Sequence, residues 1–553
     1  MNETGTHGAM TVGKKLEDDD FLRICLAEIA AAAGGPGSDT QERRDRAVDY
    51  YFGDMDKHLP AEDGRSSAVS RTVLQVVEGI LPSLVRVFVE ADNLVSFRAS
   101  SAADEEQARH ESEVVRHIFF QENAGFLLLY QFLKDAILEG LGIFKCWWEE
   151  PEWDEETYDG LTGEQVTELL TEPGYLKEVW KQELNMLVQD ENGLPTYDLG
   201  LRTLKKAGCV RVVCIPPSEF GISDGANSPN PKDANFLFHV RERSLGELAA
   251  EGYDVDLLRT IPDALEDRQA NVAAWRDRGV FANQSIHWSM QTARIYECYA
   301  TLDADGDKEL SLWCITLAAN SRLSAGKILE RRRQDSSYIS SATPIITPHR
   351  FYGQAPADLV TELQEIQSQL WRNELDNGYY ANNGGGLAIN DLVNVGDAMV
   401  SRPGRVVRVE GQASPGEAIT PIPYYPLPPT SMALHDVIQR EIRQRSGVGE
   451  EMMGLDAAAL ANTNTGVMLK AYDIAHMRLE LIARLLAETG LKELFRDIHE
   501  LARKHQDIPA EVKLRSGWTS VRPMDWRERV HMDVEVGVGH HTNERTLIAL
   551  RNV

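Results

Sequence analysis

The chain has 553 residues, 42 % of them hydrophobic, enough for about two to four domains with ordinary cores. Lys and Arg number 57 against 86 Asp and Glu, so the formal net charge is −29, opposite to the footprint of a protein that grips nucleic acid. Six scattered cysteines (Cys25, Cys146, Cys209, Cys214, Cys298 and Cys314) argue against a disulfide framework, and no His or Cys at ligand spacing completes a zinc set.

The N-terminus, "MNETGTHGAMTVGKKLEDDD", lacks a basic region followed by an apolar core, and no run approaches about 18 apolar residues. Synthesis and folding in the cytosol, without a membrane span, are expected. Helical periodicity covers residues 21–33 and 66–91, with Ser66 and Ser67 as N-caps and Pro82 as a kink. A third helix spans about 103–122, starting acidic as the helix dipole favours. A fourth, "GFLLLYQFLKDAILEG", should stop at Gly140, and "GIFKCWWEE" reads as a strand.

Residues 149–191 carry fourteen acids against only Lys177 and Lys181, the mark of a solvated, peripheral insertion. From 196 to 350, runs such as "NFLFHVRER", "ARIYECYATL" and "ELSLWCITLA" alternate between turn residues, which predicts a small antiparallel sheet or barrel with a helical interlude at about 244–278. In "DADGDKE", Gly306 comes fourth rather than sixth, so a calcium loop is rejected in favour of a hairpin turn at Asp305 and Gly306.

Pro356 can open a long helix whose Leu359, Leu363, Ile366 and Leu370 form one apolar stripe, running to about Asn382. "NNGGGLAIN" breaks it, and "AINDLVNVGDAMVSRPGRVVRVEG" alternates like a compact β unit carrying Arg402, Arg405 and Arg408. The proline-rich "ITPIPYYPLPPTS" is a stiff connector to a second helix that includes Val437, Ile438 and Ile442. After "GVGEEMMGLDAAALANTNTG" (447–466) comes a helical pattern of roughly 40 residues, some 60 Å at about 1.5 Å per residue, with Gly490 as a weak point.

Phosphate-binding, dinucleotide-binding, metalloprotease and serine-hydrolase signatures are all missing from the sequence. His540 and His541 adjoin each other and so do not share a face, which makes them a weak metal site. Neither a cofactor nor a metal is expected, and a structural or interaction protein fits better than an enzyme.

The order helix, glycine break, β unit, proline-rich return, helix, loop and very long helix resembles the core of tailed-bacteriophage portal proteins, specifically the short-tailed, P22-like family. The segments "GRSSAVSRTVLQVVEGILPSLVRVF", "LLLYQFLKDAILEGLGIFKCWWEE", "PHRFYGQAPADLVTELQEIQSQLWRNELDNGY", "GLDAAALANTNTGV", "LELIARLLAETGLKELFRDIHEL" and "WTSVRPMDWRERVHMDVEVGVG" carry the resemblance over about residues 64–540.

That resemblance implies an α+β portal fold with long stem and wing helices, a small α/β clip and a β-rich wing. Residues 1–353 would be N-terminal helices and wing, 354–383 the first stem helix, 384–429 the clip and 430–447 the second stem helix. Residues 448–465 would be a tunnel loop, 466–506 a long crown-directed helix, and 507–553 wing strands and the start of a crown. The chain stops at Val553 where "NERTLIALRNV" begins a new helix, so no crown barrel is assigned.

By the same resemblance, Leu359, Leu363, Ile366, Leu370, Val437, Ile438 and Ile442 pack the stem, and Arg402, Arg405 and Arg408 serve clip docking. The tunnel loop would present Gly449, Glu450, Glu451, Met452, Met453, Gly454, Leu455, Asn462, Thr463, Asn464 and Thr465 to DNA. Its composition suits that place: glycines bend, Ala457 to Ala459 leave room, Thr465 can cap the next helix, and Asn462 to Asn464 offer neutral hydrogen bonds.

The implied function is a ring of twelve subunits at one capsid vertex of the virion, assembled in the host cytoplasm. It passes double-stranded DNA without sequence specificity and docks the large terminase subunit, then a tail adaptor, beside major capsid and scaffolding proteins. Twelve chains at −29 total about −350, a field that repels phosphate and suits a conduit. The alternatives are another head-to-tail connector ring component or a carboxylate-dependent hydrolase.

Overall fold

In the computed structural model the described residues are 15–32, 38–89, 94–99, 101, 104–171, 177–189, 195–254, 256, 287–320, 323–382, 430–448, 477–507, 510–514, 517–529 and 532–534, with 386–388, 393–394, 396–397, 408 and 419–421 of the 384–429 region. Helix α1 (Asp18–Ala31) matches the first periodic run. Helix α2 (Asp39–Phe52) was not expected, because its sequence is largely polar. Its ends are nonetheless written in the chain: the Ser38 hydroxyl accepts from the Gln41 N–H, and Gly53 closes the helix at φ +77°.

Helix α3 (Thr72–Val89) runs through Pro82 and begins six residues later than Ser66. It is apolar and long enough by composition to cross a membrane. Here Val73, Val76, Val77, Ile80, Leu81, Leu84 and Phe88 are buried in the largest core cluster. Helix α4 (Glu105–His117) continues into a π turn, Ile118–Glu122, and α5 (Gly125–Glu139) ends at Gly140 with φ +79° as its sequence predicts.

Strand β1 (Ser96–Phe97) is short, and β2 (Gly142–Glu149) is the centre of a three-stranded sheet. The acidic insertion is itself a sheet of β3 (Glu152–Leu161), β4 (Lys177–Gln189) and β5 (Pro195–Lys206) in the order β3-β5-β4, with helix α6 (Gly163–Thr171) against it. Its acids are mostly exposed while Leu199 and Leu201 of the central strand are buried, which agrees with a peripheral position. β6 (Cys209–Cys214) flanks β2. Outside it the Asn123 side chain bonds both the Val210 carbonyl and the Val212 N–H, filling the edge as a strand would.

The β-rich region is an antiparallel sheet rather than a barrel. It holds β7 (Phe220–Ile222), β8 (Phe236–Ser244), β9 (Thr292–Leu302), β10 (Ser311–Ala319) and β11 (Gly326–Arg333) in the order β11-β10-β9-β8-β7. Alternation sets its two faces. Phe236 and Phe238 join Tyr296, Cys298, Ile315 and Leu317 under Phe21, Cys25 and Ile29 of α1, whereas Leu237 joins Tyr299 and Cys314 on the other side.

Of the helical interlude, α7 (Leu245–Ala250) is described and 257–286 lie outside the described residues. The turn after β9 is not a two-residue hairpin. It spans 303–310, and the Asp303 carboxylate organises it by accepting the Gly306 and Lys308 N–H groups.

β12 (Ile339–Ala342) pairs with β2, and the chain then enters α8 (Thr361–Asn382), preceded by a 3-10 turn that Pro356 opens. β13 (Gly386–Ala388) pairs antiparallel with β14 (Ile419–Pro421), and α9 (Thr430–Ser446) follows. Helix α10 (477–505) is interrupted by a π turn at Ala487–Leu491, followed by Lys492–His505. Gly490 lies in that turn for a packing reason: a Cβ there would meet Phe132 at 2.8 Å and Ala342 at 2.9 Å. β15 (Ala510–Leu514) and β16 (Gly517–Val521) form a hairpin, and β17 (Met532–Asp533) returns to pair with β1.

Candidate functional site

Two helices joined through a β ladder are the most distinctive assembly in the molecule. Helix α8 has 22 residues and α9 has 17, about 33 and 26 Å at 1.5 Å per residue. The face that roots α8 is polar. The Gln364 amide donates to the Tyr50 carbonyl at 2.9 Å and accepts from the Val73 N–H at 2.8 Å. The Gln367 carbonyl accepts from the Ser70 and Thr72 hydroxyls, and the Ser368 hydroxyl accepts from the Ser70 N–H.

Arg372 then donates to the carbonyls of Ala68 and Leu59. Thus α3 takes its N-terminal partner from Gln364, some 290 residues away, and not from Ser66 or Ser67, and the Ser66 N–H donates to Asp376. Tyr50 also donates to Glu365, and burial together with this bond pushes the phenol well above its ordinary range. Beside it, Tyr51 and Lys134 both donate to Glu78, which holds that carboxyl below its usual range despite the opposing effect of burial.

Among the residues expected to pack the stem, Leu363, Ile438 and Ile442 are buried in the main core and Leu359 and Leu370 pack against it. Ile366 and Val437 do not: they are 47 % and 46 % exposed. The expected stripe placed Ile366 on the rooted face, but that face is Leu363, Gln364, Gln367, Ser368 and Arg372, and Ile366 points away from it. Beyond Arg372 the helix leaves the core, and Leu375, Tyr379, Tyr380 and, on α9, Met432 are exposed. His435 bonded to Glu374 at 3.0 Å and Arg445 reaching Glu362 at 3.6 Å tie the two helices together.

At the end of α9 the chain turns at Gly447, φ +75°, and Val448 is buried against Gly79 of α3, where a Cβ would approach Val448 Cγ1 to 2.8 Å. Arg478, among the first described residues of α10, donates to the Gln444 carbonyl at 2.7 Å. The end of α9 and the first described turn of α10 are therefore held side by side. The expected tunnel-loop residues, Gly449 to Leu455 and Asn462 to Thr465, lie outside the described residues.

The β13-β14 ladder, with Leu387 opposite Thr420, pairs the chain near the two ends of the 384–429 stretch. Arg408 makes a two-pronged bond to Asp397, Nε at 2.6 Å and Nη2 at 3.1 Å, and holds that carboxyl below its usual range. Its first commitment is inside the unit. Arg402 and Arg405 lie outside the described residues.

Sequence reasoning missed a buried ionic cluster that ties the C-terminal segment to the body. Arg529 Nε bonds Glu111 at 2.6 Å and its Nη2 bonds Asp104 at 3.0 Å, while His499 Nε2 lies 3.1 Å from Glu111 and stacks on Trp526. The partners are over 380 residues apart in sequence, so no local pattern announces them.

A cleft of about 690 Å³ lies between the five-stranded sheet and the β2 and α10 wall. A hydrolase would need two free carboxylates converging there. Instead Glu297 is taken by Lys145 and Tyr299, Glu251 by Arg243 and Asp335 by Lys504, while Glu330 accepts from the Tyr253 hydroxyl and Glu150 from the Trp148 indole. Among the described residues no group of three or more His, Cys, Asp and Glu could hold a metal ion.

A family model for the phage SU10 portal protein matches residues 21–553. The chain belongs to the phage SU10 portal protein family. The expectation of a bacteriophage portal protein, a component of the capsid vertex concerned with genome packaging, is thereby established across nearly the whole chain. The family is a structural one, and membership implies a ring-forming homo-oligomer in the virion capsid. The mixed helix and sheet of this portal protein agrees with the α+β expectation. No curated protein matches the chain in sequence comparison.

Proposed function

We propose that this portal protein forms a closed ring, twelve subunits by the family resemblance, at a single capsid vertex, and that double-stranded DNA enters and leaves through its centre. The observation that carries this reading is the pair α8 and α9: rooted by a polar seam, they leave the core with Leu375, Tyr379, Tyr380 and Met432 uncovered within the subunit. Apolar side chains on a projecting element find burial against neighbouring copies.

The unit at 384–429 is the clip, on which the large terminase subunit docks during packaging and the tail adaptor afterwards, with Arg402 and Arg405 as its basic contacts. The segment 448–465 is the tunnel loop, anchored at its start by the buried Val448. A net charge of −29 per chain makes the wall repel phosphate, so DNA slides rather than sticks.

The test is deletion of residues 454–462 in a phage that depends on this protein. Rings should still assemble while packaged or retained DNA falls; unchanged yield of filled particles refutes a DNA-handling loop.

A further inference from the structure

Two strand edges of opposite charge are left open in one chain. β11 is an outer strand of the five-stranded sheet and β3 is an outer strand of the insertion sheet, and among the described residues no strand pairs with the free side of either. A free edge offers a row of backbone donors and acceptors to another strand.

The charges on the two edges are complementary. β11 ends in three consecutive arginines, Arg331, Arg332 and Arg333, all exposed. They follow the irregularity in its pairing with β10, so the triplet lies in regular register opposite Ile315, Cys314 and Trp313. β3 carries three consecutive acids, Asp154, Glu155 and Glu156, in the regular stretch opposite Thr203, Arg202 and Leu201 of β5. The other outer strand of the insertion, β4, carries Lys177 and Lys181, whereas β3 has no basic residue.

Within the chain these charges are only partly used: Arg331 reaches Asp18 at 3.1 Å, Asp154 reaches Lys205 at 3.4 Å, and Arg332 lies 3.9 Å from Glu330. Among the described residues Arg333 and Glu155 make no ion pair.

We propose that β11 of one copy adds edge-to-edge to β3 of the next, joining the two sheets across the subunit boundary. Three bases set against three acids match on both faces of the joined sheet, because side chains alternate and each face then pairs unlike charges. The central pair, Arg332 with Glu155, is the same in parallel and antiparallel pairing. Two different patches that complement each other make a head-to-tail contact, and such a contact closes a ring when the rotation between copies closes. The contact rests on the ring reading above and names one of its seams.

The test uses the full chain with Arg332→Cys and Glu155→Cys introduced together in a Cys314→Ala background, because Cys314 lies directly opposite position 332. Mild oxidation of assembled rings should give a ladder of covalent multimers, absent from either single variant. In parallel, reversing the arginines (R331E, R332E and R333E) should raise the concentration for half-assembly by on the order of tenfold. Adding D154K, E155K and E156K should restore it to within about threefold of the unaltered protein. Rings that give no ladder and ignore the reversal refute this contact alone. Failure of the unaltered protein to form rings refutes the ring reading and the contact with it.

Discussion

Replacing Arg529 with Met strands two carboxylates in the interior. The guanidinium makes four bonds: Nε and Nη2 to Glu111 at 2.6 and 3.1 Å, Nη1 and Nη2 to Asp104 at 2.5 and 3.0 Å. The side chains of Asp104 and Glu111 are 3 % and 0 % exposed, so water cannot take over. Removing one partner of such a pair costs about 3–5 kcal/mol, a large share of the roughly 5–15 kcal/mol of a typical domain.

The cost should depend on pH. In the unaltered protein the bonds from His499 and Arg529 outweigh burial and hold Glu111 below its usual carboxylate range. Its stabilising contribution is therefore present above the unfolded value and lost only as pH falls through the lower folded one. In the variant the carboxyls rise instead, so stability is poorest at high pH and recovers as pH falls and they protonate. Trp526, stacked on His499 at 5.0 Å, is a local reporter. Urea titrations followed by tryptophan fluorescence at pH 5 and pH 8 should show a large deficit at pH 8 that shrinks at pH 5. A loss under about 0.5 kcal/mol, within the range of an ordinary surface change, or one independent of pH, would refute the account of this cluster.

Gly490→Ala forces a methyl to within 2.8 Å of Phe132 and 2.9 Å of Ala342, and should cost about 1–3 kcal/mol in thermal or urea unfolding; an unchanged midpoint would show that the π turn has slack. Asp497, whose carboxyl burial pushes up to about 6 despite Lys232 at 2.6 Å, loses stability as pH rises from its unfolded value near 3.8 through 6. Asp497→Asn should flatten stability over that window, and retention of the full pH slope would contradict the assignment. Leu375→Ser with Tyr379→Ser should leave subunit unfolding within about 0.5 kcal/mol yet shift sedimentation from rings towards monomers, because both side chains are exposed in the subunit; loss of folding instead would place them in the core.

Local signals in the sequence located many of the elements around α8 and α9. The stop at Gly140, the strand at Gly142–Glu149, the helices on either side of 384–429 and the weak point at Gly490 all rest on periodicity, caps and breakers within a few residues of one another. What escaped depends on partners far along the chain. Helix α2 is polar because its Arg44, Tyr50 and Asp49 serve contacts to Pro217, Glu365 and the 57–58 turn. The face of α8 that seats it is glutamine, serine and arginine, where a search for apolar spacing selects Ile366. Arg529 has no local signature at all, since its ligands lie 418 and 425 residues away.

The central claim is that the subunit exists to form a channelled ring. Electron microscopy of the purified full-length protein tests it most directly. The account predicts end-on views of closed rings with one axial opening and side views with a narrow stem formed by α8 and α9. A homogeneous monomer across a wide range of protein concentration, or an assembly without an axial opening, would contradict it.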